Sequence, residues 1–145
     1  MNIQKETKVS YFNPETSYAS FHFVHTLKKC CKECLSLDKN LVILCIGSDR
    51  VIGDCLGPLV GHKLSSLLKN SGISVYGTLK KPVHAKNLDA TLKKIRASIQ
   101  NPYIIALDSS LGTNSHVGFV TLGKGALHPG IGTGKNLTHV GDIFI

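Results

Sequence analysis

The sequence has no tryptophan, a single methionine and only nine acidic residues in 145. Long apolar runs are missing too. The longest, Leu41 to Ile46, falls far short of the roughly 20 residues that a membrane-spanning helix needs. The N-terminus lacks the basic, apolar, small-residue order of a secretory signal, so the chain is expected to be soluble and unexported. No disulfide scaffold is visible: the five cysteines are an odd number, and three of them crowd at Cys30, Cys31 and Cys34. That usage suits free thiols in a reducing cytosol. Four Tyr and five Phe leave little for base stacking, and neither zinc-finger spacing nor an RNA-binding consensus is present. Nucleic acid is therefore not the expected partner, despite a formal net charge of +8.

What is present describes a folded chain. With 42% apolar and 18% charged residues, wholesale disorder is excluded. The length suits one core and is too short for two ordinary ones. A flexible N-terminal arm over residues 1–17, carrying the turn signal Asn13-Pro14, is expected to precede a single α/β domain over residues 18–145.

Within that domain the hydrophobic period changes repeatedly. Phe21, Val24, Leu27, Cys31, Cys34 and Leu35 recur at three- and four-residue steps, which predicts a helix over residues 18–37. Leu41 to Ile46 is short and apolar throughout, as in a strand covered on both faces of a parallel sheet. Leu56, Leu59, Val60, Leu64, Leu67 and Leu68 predict a second helix, stopped at Asn70-Ser-Gly72. Ile73 to Tyr76 reads as a strand, and Leu88, Leu92, Ile95 and Ile99 as a third helix ended by Asn101-Pro102. Tyr103 to Leu107, Val117 to Leu122 and Val140 to Ile145 read as further strands, the last a candidate edge strand. This alternation predicts a three-layer fold, a mostly parallel twisted sheet with helices on both faces.

In such sheets ligands bind beyond the carboxyl ends of the strands. Asp54 lies in the loop after the first of these strands, and Asp108 ends the strand Tyr103 to Leu107. If those strands are neighbours, the two carboxylates share one crevice. Close carboxylates do not both ionise freely, so the pair either shares a proton for acid/base work or recruits a cation. The competing structural reading makes Asp54 the N-cap of the next helix. Asp49 and Arg50, in the same loop, can pair with each other or contact a ligand. His84 follows the second strand and can reach the crevice as ligand, base or substrate contact.

Several other features read as structural. His128 and His139 flank a glycine-rich loop without a recognised metal spacing. The formal CxxC of Cys31 and Cys34 sits inside a helix rather than at a strand-to-helix junction, so packing is its expected role. Cys55, near a helix start, lacks an adjacent His to activate it. Gly130 to Lys135 does not fit a P-loop, because Pro129 and Asn136 stand where Gly and Ser or Thr are required. Six basic residues, Lys80, Lys81, Lys86, Lys93, Lys94 and Arg96, share one stretch with a single acid, Asp89, and form a local basic face.

The segments Gly47 to Gly61, Val75 to Leu79, Pro82 to Leu88, Ile105 to Gly112 and Val140 to Ile143 resemble, in order, those of the sporulation protein YyaC family, the predicted spore proteases. That family is similar to the spore germination protease, an atypical aspartic-type endopeptidase, and more distantly to hydrogenase maturation proteases. The resemblance implies a phosphorylase/hydrolase-like fold with Asp54 and Asp108 as catalytic residues and Asp49, Arg50 and His84 lining the site. It also implies a divalent metal as a candidate cofactor at Asp54 and Asp108, since the hydrogenase maturation relatives bind one there. The implied partner is a protein or peptide substrate, with small acid-soluble spore proteins as the model class, and the implied compartment is the cytoplasm of the forespore or mother cell of a spore-forming bacterium. The family continues past the final strand into another strand and a helix, so this chain is expected to lack C-terminal elements.

Two functions from different classes follow. One is a sporulation endopeptidase whose two Asp carboxylates activate water, directly or through a metal. The other is a non-enzymatic adaptor or regulator that holds an acidic partner on the basic face; hydrolysis or phosphorolysis of a small ligand is a third reading.

Overall fold

The computed structural model describes residues 9–130 and 137–145, and among them the side chains of all but residues 33 and 35. Residues 1–8 of the expected arm, most of the glycine-rich stretch from Gly130 to Lys135, and the side chain of Leu35 in the first helical stripe lie outside that description.

Strands β1 (Val9–Phe12), β2 (Asn40–Cys45), β3 (Ser74–Tyr76), β4 (Pro102–Leu107), β5 (Val120–Lys124) and β6 (Ile143–Phe144) form one sheet in the order β1-β5-β6-β4-β2-β3. Three helices, α1 (Ala19–Ser36), α2 (Leu56–Leu67) and α3 (Leu88–Ser98), complete the three layers. Pairing is parallel from β6 through β4 and β2 to β3, and antiparallel where β5 meets β1 and β6. The fold is thus α/β with a mostly parallel sheet, as the alternating periods predict.

The two-residue period of β2 explains the layering. Val42, Leu44 and Ile46 project to one face, where they join Leu88, Leu92 and Ile95 of α3 and Ile104 and Ala106 of β4 in one buried cluster. On the opposite face, Cys30 and Cys34 of α1 pack with Tyr103, Ile105, Leu122 and Ile143. On that same face α2 packs against β2 and β3. Its approach depends on glycine: a side chain at Gly57 would strike the Ile46 carbonyl, and one at Gly61 the Gly77 carbonyl. Four residues apart, the two glycines form one smooth helical face.

Three expectations change. The N-terminal arm contains a strand, because β1 pairs with β5 from Val9↔Gly123 to Phe12↔Val120 and its Tyr11 ring stacks on His116, centroids 4.1 Å apart. The strand expected from Val117 begins at Val120 instead. A 3-10 turn over Asn114–His116 and the positive φ of Gly118 (81°) hold the preceding chain in a turn. Finally, the last strand is not an edge. β6 lies between β5 and β4, whereas β1 and β3 form the edges.

Candidate functional site

Parallel pairing continues to the carboxyl ends of β2 and β4, where the Ile46 N–H donates to the Leu107 carbonyl at 2.7 Å. The chain leaves β2 through α2 to β3 on one side and returns through α3 to β4 on the other. Connections diverging from adjacent strands, with their helices on opposite faces, open a crevice between them. The loop bearing Asp54 and the residue Asp108 both start at that crevice.

Local contacts set the Asp54 loop. Gly47 has φ 147°, and a Cβ there would overlap the Asp54 carbonyl and reach Pro58 Cδ at 2.9 Å. The absent side chain lets the Ser48 N–H donate to the Asp54 carbonyl at 3.0 Å, folding the loop back over the end of β2. Residues Ile52–Asp54 form a 3-10 turn, and Cys55, not Asp54, holds the N-cap position of α2, with no side-chain capping bond. The capping explanation for Asp54 is therefore removed; the residue is half-buried and near enough to Asp108 for its charge to act there. The Cys55 thiol donates to the Ile52 carbonyl at 3.1 Å, a structural engagement.

Asp108 is half-buried at the end of β4, and its N–H donates to the Ile145 carbonyl at 3.2 Å. Burial lifts its carboxyl from the ordinary 3.8 to about 7, reinforced by the negative charge of Asp54 and opposed by the Ser109 backbone N–H. A carboxylic acid that still holds its proton near neutrality, beside another carboxylate, can donate or exchange that proton under physiological conditions. Next in sequence, the Ser109 hydroxyl is buried without a hydrogen-bond partner among the described residues. A buried hydroxyl left unpaired is costly, so its presence in a crevice marks a position where a bound water or ligand can supply the missing bond.

His84 enters from the β3 side. Val83 bridges Ile46 in parallel, and the Gly47 N–H donates to the Val83 carbonyl at 2.8 Å, so His84 borders the Asp54 loop. Its Nδ1 accepts from the Lys86 N–H at 3.3 Å, and its N–H donates to Asn87 Oδ1 at 2.8 Å. These bonds start α3 and engage Nδ1, so Nε2 is the ring nitrogen they do not use. Asp49 and Arg50 are exposed, and the Arg50 N–H donates to Ser48 Oγ at 3.2 Å.

A groove of about 1000 Å³ runs from Asp108 along the sheet between α1 and α2. Ile43 and Ile105 form its floor, with Leu27 on one wall and Val60 and Leu64 on the other. Periodicity could not reveal it, since a gap between two helices depends on strand order. Exposed apolar residues also stand on the loops bearing the two acids: Ile52 at 95% and Leu111 at 82% exposure.

Other candidates resolve as structural. Asp142 Oδ2 accepts from the Ile104 N–H at 2.8 Å and so serves the β4–β6 pairing. Burial raises the thiol pKa of Cys31 and Cys34 and pushes Cys45 up to about 11, which suits packing rather than redox chemistry. All five cysteines are free. Among the described residues no helix is long and apolar enough to cross a membrane, and no three metal-ligating side chains converge.

Fold and crevice together define an α/β protein in which Asp108 feels the charge of Asp54 at the switch between oppositely wound connections. The chain belongs to the DUF1256 family, described as a protein of unknown function, whose profile matches residues 11–145. It is 46% identical over 107 residues to the uncharacterized protein YyaC of Bacillus subtilis (strain 168), a match covering 74% of this chain and 52% of the relative. The match thus spans about half the relative's length. No solved structure matches the chain.

Proposed function

We propose that this chain acts as an endopeptidase of sporulating cells, with Asp54 and Asp108 as its acid/base pair. The observation that carries this reading is the Asp108 carboxyl, raised to about 7 beside the charge of Asp54. One carboxylate accepts a proton from water as the new C–O bond forms at the scissile carbonyl. The protonated partner then gives its proton to the departing amine as the C–N bond breaks. The buried, unpartnered Ser109 Oγ supports a role in holding the water or the carbonyl, and the bond from the Gly47 N–H to the Val83 carbonyl supports a role for His84 beside the Asp54 loop. Exposed Val51, Ile52 and Leu111 suit a polypeptide substrate better than a small polar one.

The resemblance to the germination protease favours a cytoplasmic setting and small acid-soluble spore proteins as substrates. A divalent metal would find oxygen ligands in the carboxylates of Asp54 and Asp108, and no third metal-ligating side chain converges on them among the described residues.

The test is cleavage of small acid-soluble spore proteins, read by mass spectrometry. Asp54→Asn and Asp108→Asn are each expected to abolish cleavage while leaving the circular dichroism spectrum unchanged. Retained proteolysis in either variant sinks the reading.

The adaptor reading has one observation of its own: Lys80, Lys81, Lys86, Lys93, Lys94 and Arg96 are all exposed. Binding of an acidic protein on that face would weaken steeply with salt and be unaffected by Asp54→Asn.

A further inference from the structure

His128 and His139 come together although the sequence offers no metal spacing around either. Their ring centroids are 3.7 Å apart, with the planes tilted by 39°. Both residues are exposed, so hydrophobic burial does not account for the contact.

The backbone does. The Leu127 N–H donates to the Val140 carbonyl at 2.7 Å, and the Val140 N–H returns the bond to Leu127 at 3.0 Å. In antiparallel register the next opposed residues are 128 and 139. Such pairs alternate with hydrogen-bonded ones and bring their Cα atoms to about 4.5 Å, the closest side-chain approach in a sheet. Each partner is also anchored by its neighbours. Leu127, Leu137 and Val140 pack into the core beneath α3, and the Thr138 hydroxyl donates to Asp89 Oδ1. The imidazoles are therefore held by chain already tied down for other reasons.

We propose that His128 and His139 form a two-nitrogen site for a divalent cation that favours imidazole, of the Ni2+, Cu2+ or Zn2+ kind. Neutral imidazole is the preferred nitrogen ligand for these ions at about 2.0–2.1 Å, whereas Mg2+ and Ca2+ select oxygen. Two rings in contact beside this antiparallel bridge can turn one nitrogen each toward a common ion with little loss of conformational freedom. With two protein ligands the remaining positions are filled by water, which makes the site open and exchangeable. Occupation would clamp together the two ends of the glycine-rich segment, independently of Asp54 and Asp108.

Thermal melting with NiCl2, against MgCl2 as control, tests this. At a Ni2+ concentration about 100 times the dissociation constant, binding confined to the native state should raise the melting temperature by about 10 °C. His128→Asn and His139→Asn, both at exposed positions, should each lose the rise. Asp108→Asn and His62→Asn should keep it, and MgCl2 should produce none. With one equivalent of CuCl2, electron paramagnetic resonance should show two nitrogen ligands in the wild type and fewer in each variant. No rise with NiCl2 overturns the proposal, as does a rise that survives both substitutions, which would place the ion elsewhere on the chain.

Discussion

Asp108 stands within electrostatic reach of Asp54, whose negative charge adds to burial in lifting the Asp108 carboxyl to about 7. The two residues are far apart in sequence and are brought together by the parallel pairing of β2 with β4. Because desolvation is the larger cause, Asp54→Asn should lower the Asp108 pKa only part of the way toward the ordinary value. NMR titration of the Asp108 carboxyl would measure it. A return all the way to 3.8 would contradict the order of causes.

The same shift makes stability depend on pH. A folded-state pKa above the unfolded one means that the native protein holds the extra proton, so this group's contribution is most favourable at low pH. The contribution should decline as pH rises from 3.8 to about 7 and level off above that. Asp108→Asn should remove the slope and add about 1–2 kcal/mol at neutral pH, a figure reduced because the carboxyl keeps contact with water. Urea unfolding of both proteins from pH 4 to 8 checks this; parallel curves would contradict it.

Ser109→Ala separates site function from stability. The buried hydroxyl has no partner among the described residues, so its removal should be neutral or stabilising by about 1 kcal/mol. If the hydroxyl holds water or substrate in the proposed site, cleavage should fall at the same time, about tenfold. A destabilised protein with unchanged cleavage would argue for an internal structural bond instead.

Gly57→Ala and Gly61→Ala should each destabilise by about 2–3 kcal/mol, because the new methyl overlaps backbone carbonyls that cannot swing aside. Alanine is otherwise the better helix former, so a gain in stability on chemical denaturation would refute the close-packing account.

Asp142→Ala tests the acid assigned to structure. Its carboxylate accepts the Ile104 N–H, and its loss leaves that buried donor unpaired, at a cost of about 1–3 kcal/mol. Asp142→Asn, which keeps an acceptor, should recover most of that stability. Neither change should move the Asp108 titration, as followed by NMR.

The fold was legible where local patterns carry it. An apolar run such as Leu41 to Ile46 must be covered on both faces, and stripes such as Leu88, Leu92 and Ile95 must bury one side of a helix. Chain order then made the crevice between β2 and β4 an expected meeting place for Asp54 and Asp108. The expectation failed for β6, because its place in the sheet depends on long-range pairing with β4 and β5, which no local pattern encodes. It failed for β1 because four residues of mixed polarity become a strand only when β5 offers an edge.

By itself the sequence determined the alternation of strand and helix, the loop glycines that admit the Asp54 turn, and which acids end near the crevice, since these follow from local period and backbone sterics. Only the tertiary structure decided what those acids are. Asp108 and Asp142 are the same residue type, yet one is desolvated beside another charge and the other accepts a backbone N–H in the sheet. Desolvation, charge proximity and the contact of His128 with His139 are properties of three-dimensional distance, which chain order constrains only through the fold.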